Sequence, residues 1–185
     1  MSFVKTLFKI LLDLLEVIVI ATGVFIVIYF FAGRLLEVTG DSMSPNFQDK
    51  EQLIAEKVSV NFNPLKRGEV VILRHPLEND RLLIKRVIGL PGETIQLLNG
   101  FVYINESPLD ESYLAPGTVT NEQNFLQDAV KNQIPDNSYV VMGDNRARST
   151  DSREWGYVRK DLIIGRAFVV FYPLDKFRII ENGVF

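Results

Sequence analysis

A length of 185 residues accommodates one ordinary domain and a short additional segment, and 47% hydrophobic with 23% charged residues is typical of a folded globular chain. The net charge of -3, without a strongly basic block, argues against a nucleic-acid partner. The sequence has no cysteine, which excludes disulfides, thiolate catalysis and cysteine-ligated zinc, and only one histidine, His75. We therefore expect neither a metal nor a cofactor.

The N-terminal segment, residues 1–34, is predicted to be a short tail followed by a transmembrane anchor. No charged residue stands between Val17 and Gly33, a run at the short end of the roughly 17 to 25 residues that cross a bilayer. Lys5 and Lys9 precede the run, which favours a cytoplasmic N-terminus. The predicted location is a cell membrane, crossed once, with the C-terminal body outside the cytoplasm; a thylakoid or other organelle membrane is also possible.

A cleaved secretory signal is the alternative interpretation of the same segment. Ala32 and Gly33 are small enough for a cleavage site, but the bulky Phe30 and Phe31 and the length of the apolar run favour retention.

The remainder, residues 35–185, is predicted to be one mainly β body, an antiparallel sheet structure. Short apolar runs rich in Val, Ile, Phe and Tyr alternate with turn signals, as strands do. Asn99-Gly100 between two such runs predicts a type I′ hairpin. The polar stretch at residues 105–137 is expected to form a loop or small cap. The predicted strands are Glu51 to Val58, Glu69 to Leu73, Leu82 to Leu90, Thr94 to Leu98, Phe101 to Ile104, Ser138 to Met142 and Ile163 to Tyr172.

Two short segments carry candidate chemistry. Gly40-Asp41-Ser42-Met43 offers a serine hydroxyl, which is a weak nucleophile until a neighbouring base takes its proton. Lys85 is a candidate base, but its ordinary pKa of about 10.4 must first fall, which burial in an apolar site achieves. Strand alternation places Lys85 on the same face as Leu83 and Val87, the apolar surroundings that a neutral amine requires.

Each feature by itself also has an ordinary structural explanation. A Gly-x-Ser sequence is common in turns, Lys85 alone resembles a surface lysine on a half-buried strand, and Met43 alone resembles a core residue. Gly143-Asp144-Asn145-Arg146 is composed of typical turn residues. His75 alone resembles a strand-end or loop histidine, although it is the one candidate base for a Ser/His mechanism.

Taken together, the segments resemble the type I signal peptidase family in order and spacing, over nearly the whole chain. Gly40 to Phe47 is similar to the family's nucleophile segment, and Ile84 to Glu93 to its lysine segment. The matching segments also include Arg67-Gly68-Glu69-Val70-Val71, Met142-Gly143-Asp144-Asn145-Arg146, Ser149, Asp151-Ser152-Arg153 and Trp155-Gly156.

The resemblance implies an antiparallel β body with an apolar surface toward the membrane, and removal of signal peptides from exported preproteins by a serine/lysine dyad. It implies Ser42 as nucleophile, with its backbone N–H as oxyanion donor, and Lys85 as general base. Ser149 is expected to hydrogen-bond the lysine amine. The expected supporting ion pairs are Asp151 with Arg153 and Asp144 with Arg86.

The implied substrate binds extended between residues 36–40 and strand residues 82–84, by main-chain pairing. Shallow pockets are expected to accept small side chains at positions −1 and −3. The predicted substrate-binding residues are Leu36, Val38, Gly40, Met43, Phe47, Leu83 and Ile84. The expected partners are thus the signal peptides of preproteins and the lipid bilayer.

Four positions depart from the family pattern. Ala147 and Arg148 stand where Asp-Asn is usual, Asn46 replaces a small hydroxyl residue, and Gly40 lacks a hydroxyl that in some members assists the oxyanion hole.

Three alternative functions are considered. A catalytically silent, membrane-anchored β module that binds exported peptides fits the same fold. A self-cleaving repressor needs a DNA-binding domain where this chain has an apolar segment. A Ser42/His75 peptidase requires that the histidine reach the serine.

Overall fold

A computed structural model describes residues 2–31, 34–78 and 80–181. The chain divides into two units, Met1–Gly33 and Arg34–Phe185. The helices are α1 (Ser2–Phe31), α2 (Val58–Phe62) and α3 (Ser152–Trp155). The strands are β1 (Arg34–Glu37), β2 (Gln52–Glu56), β3 (Val70–Arg74), β4 (Leu82–Gly89), β5 (Thr94–Leu98), β6 (Phe101–Ile104), β7 (Ser107–Pro108), β8 (Lys131–Gln133), β9 (Ser138–Met142), β10 (Val158–Arg159), β11 (Ile163–Tyr172) and β12 (Arg178–Ile179).

Helix α1 occupies the segment for which a transmembrane anchor was predicted. Among the described residues, no helix is long and apolar enough to cross a membrane, so the structure does not contain the predicted span. The end of the predicted run, Ala32-Gly33, lies outside the described residues.

The predicted antiparallel β body is confirmed, and its main sheet places Lys85 on an interior strand. The strand order is β1-β2-β11-β3-β4-β9-β10, with β12 also paired to β11, and every pairing is antiparallel. Lys85 on β4 lies opposite Val71 of β3, and the next residue, Arg86, lies opposite Met142 of β9. With strands on both sides, the backbone of β4 is paired along its central part.

A second antiparallel sheet has the order β7-β6-β5-β8. The predicted hairpin at Asn99-Gly100 joins β5 to β6, and both residues have positive φ, 52° and 83°, as a type I′ turn requires. The region predicted to be a loop or cap differs from expectation, since β7 and β8 within it pair with the edges of β6 and β5.

Three clusters of buried apolar residues form the core of the β body. One of them joins the two sheets, because Ile88, Val140 and Met142 of the main sheet pack with Ile95 and Leu97 of the second. Another lies beneath the segment that carries Ser42 and contains Met43, Phe47, Leu53, Ile72 and Ile84. The strand that carries Lys85 therefore has packed side chains from both sheets around it.

Candidate active site

Ser42 lies in a tight turn after β1 whose shape depends on the residues beside it. Gly40 has φ of +84°, a left-handed conformation that favours glycine, and its N–H donates to Asp49 Oδ1 at 2.7 Å. Met43, on the other side of Ser42, is fully buried. The carbonyl of Ser42 accepts a hydrogen bond from the N–H of Asn145 at 3.0 Å. The serine is thus held between the core and the segment that follows β9.

The Lys85 side chain is buried and reaches Ser42. Its Nζ donates to Ser42 Oγ at 2.8 Å and to the carbonyl of Ile84 at 3.1 Å, and the residue is 2% exposed. Burial lowers the pKa of the Lys85 amine from its ordinary value to about 8, although Asp151 and Asp144 oppose the shift. With this pKa, roughly a tenth of the amine is neutral at pH 7, far more than for an ordinary lysine, and the neutral form is the one that can act as a base for the serine.

Two buried ion pairs stand next to the two candidate catalytic residues. Arg86 donates to both carboxylate oxygens of Asp144, at 2.8 and 2.6 Å. Arg153 donates to both oxygens of Asp151, each at 2.9 Å. Burial raises the pKa of Asp151, but the hydrogen bonds and charge of Arg153 outweigh it, so that the pKa of the carboxyl lies below its ordinary value. These are the two pairings that the sequence predicts.

Ser149 differs from expectation. Its Oγ is buried and forms no hydrogen bond with the Lys85 amine, which donates to Ser42 Oγ and to the carbonyl of Ile84. Its hydroxyl instead acts on the Asp151 carboxylate, whose pKa it helps to lower. Ser149 packs closely against Gly143. A Cβ added at Gly143 would lie 2.3 Å from Ser149 Oγ and 2.3 Å from the carbonyl oxygen of Ser42. The absence of a side chain at residue 143 lets Ser149 and Ser42 approach each other.

A groove of about 420 Å³ runs past Ser42 and Lys85 between the β1 segment and β4. Five of the predicted substrate-binding residues line it, namely Leu36, Val38, Gly40, Leu83 and Ile84. The prediction for Met43 and Phe47 was wrong: both are buried in the core and neither lines the groove. The turn at Gly40 directs Ser42 toward the groove, and the residues after it pack inward.

The groove also contains residues that the sequence did not single out as substrate-binding. Its lining includes Asp41, Leu53, Ile72, Arg81, Arg148 and Thr150. Arg148 donates to the Asp41 carboxylate at 2.6 Å, and both side chains are largely exposed. The sequence carried one signal for this contact, because Arg148 is a departure from the family pattern, but nothing local to it indicates Asp41 as the partner.

His75 lies away from Ser42. Val71 on β3 lies opposite Lys85, and His75 is four residues beyond Val71. At the spacing of a strand, four residues place His75 about 13 Å from Val71. Its Nδ1 accepts from the N–H groups of Leu77 and Glu78, each at 3.1 Å, and its ring packs against Trp155 with centroids 5.9 Å apart. The structure therefore opposes the Ser42/His75 alternative.

Comparison with known proteins identifies relatives of this chain. Residues 11–172 match the family model described as signal peptidase, peptidase S26. A signal peptidase I of Leptolyngbya laminosa is 39% identical over 79% of this chain and 72% of its own length. Signal peptidase I of Bacillus amyloliquefaciens is 36% identical over 90% and 91% of the two chains.

A solved structure is also similar. The crystal structure of a signal peptidase I from Enterococcus faecalis V583 matches with a TM-score of 0.47 and 28% identity, over 56% of this chain and 97% of that chain.

The family match and the relatives confirm the enzyme class that the sequence predicts, a serine peptidase. The chain belongs to the signal peptidase family, peptidase S26.

Gly143→Ala is expected to lower peptidase activity by about 100-fold, since the new methyl group overlaps the Ser42 carbonyl and a displacement near 1 Å at a reacting group has an effect of this size. Gly165→Ala is the matched control, because its methyl group would lie 2.9 Å from another backbone carbonyl, that of Glu56, on strands that do not carry Lys85. Steady-state kinetics of both folded variants check the prediction, and equal activity losses would contradict it.

Proposed function

We propose that this protein removes N-terminal signal peptides from exported preproteins by a serine/lysine mechanism. The observation that carries the proposal is the 2.8 Å separation between Ser42 Oγ and Lys85 Nζ, with the lysine buried and the serine open to the groove. The names of the relatives, signal peptidase I, support the same substrate class.

Acylation follows from this geometry. The neutral Lys85 amine accepts the proton of the Ser42 hydroxyl as Oγ attacks the carbonyl carbon of the scissile bond. The backbone N–H of Ser42 donates to the oxyanion that develops on the substrate carbonyl. The Lys85 ammonium then gives its proton to the leaving amine, which departs as the new N-terminus of the mature protein and leaves an acyl group on Ser42.

Deacylation uses the same amine in reverse. Lys85 accepts a proton from a water molecule as the water oxygen attacks the acyl carbonyl, and the ammonium returns a proton to Ser42 Oγ when the ester bond breaks. The carbonyl of Ile84, 3.1 Å from Nζ, accepts one N–H of the amine and orients its lone pair. Ser149 supports the site by packing beside Gly143 and Ser42, a role that replaces the hydrogen bond expected from the sequence.

The groove supports binding of an extended peptide. We propose that the peptide pairs its main chain with residues 36–40 and 82–84, and that Leu36, Leu83 and Ile84 form shallow apolar contacts. Small side chains at positions −1 and −3 fit this arrangement, since the residues that extend it inward, Leu53 and Ile72, belong to the packed core.

Attachment to a membrane is proposed from the apolar surface of α1. From Val17 onward, apolar side chains are exposed on all faces of its described part, for example Val17, Ile18, Val19 and Ile20. A helical segment that is apolar all round requires an apolar environment.

We further propose that the β body acts on the far side of the membrane from the cytoplasm, where signal peptides emerge. In sealed vesicles whose cytoplasmic face points outward, we expect the β body of the full chain to be protected from added protease. Digestion of the β body before the vesicles are lysed would contradict this orientation.

Lys85→Met and Ser42→Ala are each expected to abolish cleavage of a preprotein with an Ala-x-Ala site, while His75→Ala remains active. For the wild type, kcat/KM is expected to rise with pH and level off above about 8, because only the neutral form of Lys85 accepts the serine proton. Kinetics of the purified chains in detergent check both expectations, and normal cleavage by Lys85→Met would exclude the mechanism.

Stability provides the control for this experiment. The folded-state pKa of Lys85 lies below its unfolded value, so burial of the ammonium destabilises the fold fully below pH 8, and the penalty disappears as the pH rises toward the ordinary lysine pKa. Lys85→Met removes this penalty and is expected to raise the free energy of unfolding at pH 7 by up to about 3 kcal/mol. If Lys85→Met is inactive but more stable than the wild type, its inactivity results from the loss of the base and not from unfolding.

The shallow groove predicts a size limit at position −1 of the substrate. Replacing the −1 alanine of the preprotein with leucine is expected to lower kcat/KM by about 100-fold or more, since Ile84 and Ile72, which bound the groove, belong to the packed core and do not yield to a larger side chain. The same replacement at −2, whose side chain points away from the groove in an extended peptide, serves as the control. Equal rates for the two alanine-to-leucine substrates would refute the pocket.

A further inference from the structure

The buried guanidinium of Arg146 joins the candidate active site to a distant segment. Residues 109–130, here called the β7–β8 loop, connect the two edge strands of the second sheet. Residues 143–151, here called the β9–α3 turn, include Ser149 and precede α3. Arg146 of this turn is 2% exposed, and its Nη atoms donate to the Glu111 carboxylate, to Tyr113 Oη at 2.9 Å and to Thr120 Oγ1. All three partners belong to the β7–β8 loop.

The pairing with Glu111 decides whether Arg146 can stay buried. An arginine does not lose its proton in a protein, and a buried charge without a partner costs several kcal/mol. Glu111 provides the one carboxylate that the Arg146 guanidinium contacts within the described residues. Tyr113 adds a neutral donor, because burial raises the pKa of its hydroxyl well above the ordinary value, and the hydroxyl donates to Glu111 Oε1 at 2.8 Å. The position of Arg146 therefore depends on Glu111.

The backbone on both sides of Arg146 contacts the reacting residues. Arg146 Nε donates to the carbonyl of Gly143 at 3.1 Å, and Gly143 is the residue against which Ser149 and the Ser42 carbonyl pack. The N–H of Asn145 donates to the Ser42 carbonyl at 3.0 Å. A shift of the Arg146 side chain would thus move Gly143 and Asn145, the two residues that contact the Ser42 carbonyl.

The β7–β8 loop has a second contact with the same site. The Tyr113 ring lies under the Arg86 guanidinium, 4.3 Å from its centroid, and the Tyr113 carbonyl accepts from Asn46 Nδ2 at 2.9 Å. Asn46 Nδ2 also donates to Asp144 Oδ2 at 2.9 Å. Asn46, a departure from the family pattern in the Ser42 segment, therefore bonds both to the loop and to the partner of Arg86.

We propose that Glu111 is a positioning residue for the reaction: through Arg146 and the β9–α3 turn, its carboxylate holds Ser42 at the distance from Lys85 that proton transfer requires. Glu111 contacts neither reacting atom and acts only through Arg146. The inference rests on the proposed function and extends the active site to a segment that the sequence suggests is a loop or cap.

Glu111→Gln tests the proposal with a side chain of the same size that lacks the charge. It is expected to lower kcat for preprotein cleavage by about 10- to 100-fold with KM nearly unchanged, since the substrate groove contains no residue of the loop. Glu111→Asp, which keeps the charge, is expected to recover part of kcat. Glu106→Gln is the matched control, because Glu106 pairs with Lys131 on the exposed surface next to β7.

A second measurement is independent of turnover. The pKa of the Lys85 amine, followed by NMR, is expected to differ between wild type and Glu111→Gln and to be the same in wild type and Glu106→Gln. The charged groups with the largest effects on this amine are Asp151, Arg81, Asp144 and Arg153. Glu111 is not among them, so a difference would report a change in geometry around Lys85 and not the loss of a nearby charge.

The outcomes separate the inference from the proposed function. If folded Glu111→Gln shows the wild-type kcat and the wild-type Lys85 pKa, or if it loses activity only in proportion to its unfolded fraction, the positioning role is refuted while signal peptide cleavage stands. An inactive, folded wild type would instead refute the proposed function, and the inference with it.

Discussion

The burial of the Lys85 amine beside Ser42 is the interaction on which the rest of the site depends. An ammonium in this position is disfavoured by desolvation, which is why the amine titrates near pH 8. Two neighbouring carboxylates, Asp151 and Asp144, act in the opposite direction and favour the charged amine. Each of them is bound through two hydrogen bonds by an arginine, Arg153 or Arg86. Arg153 lowers the pKa of the amine and so acts against the nearby Asp151 carboxylate.

Placement of the serine is a separate physical problem, because Ser42 lies in a turn and not on a strand. A turn is not fixed by the hydrogen bonds that pair neighbouring strands. Three other features fix the position of Ser42. Met43 is buried in the core, Gly40 adopts a left-handed conformation, and the Asn145 N–H binds the Ser42 carbonyl. The last contact joins segments far apart in the chain, so the geometry of the serine and lysine depends on tertiary structure at every point.

The second sheet contacts the candidate active site in two ways. It packs on β4 and β9 through a shared apolar core, and its β7–β8 loop pairs with the Arg146 guanidinium behind the serine. Buried ion pairs contribute little net stability compared with apolar packing. In this chain an apolar cluster joins the two sheets, and buried ion pairs surround Ser42 and Lys85.

The sequence alone predicted the longer strands and the Asn99-Gly100 hairpin, since strand alternation and turn chemistry are local properties of the chain. It suggested Ser42 as a nucleophile and Lys85 as its base. It also indicated which arginines and carboxylates surround the lysine, through resemblance to a family. Only the tertiary structure decided that Met43 and Phe47 pack in the core, that Ser149 Oγ is buried beside Gly143, and that Glu111 pairs with Arg146. These outcomes depend on which segments meet across the fold, and neither periodicity nor spacing along the chain contains that information.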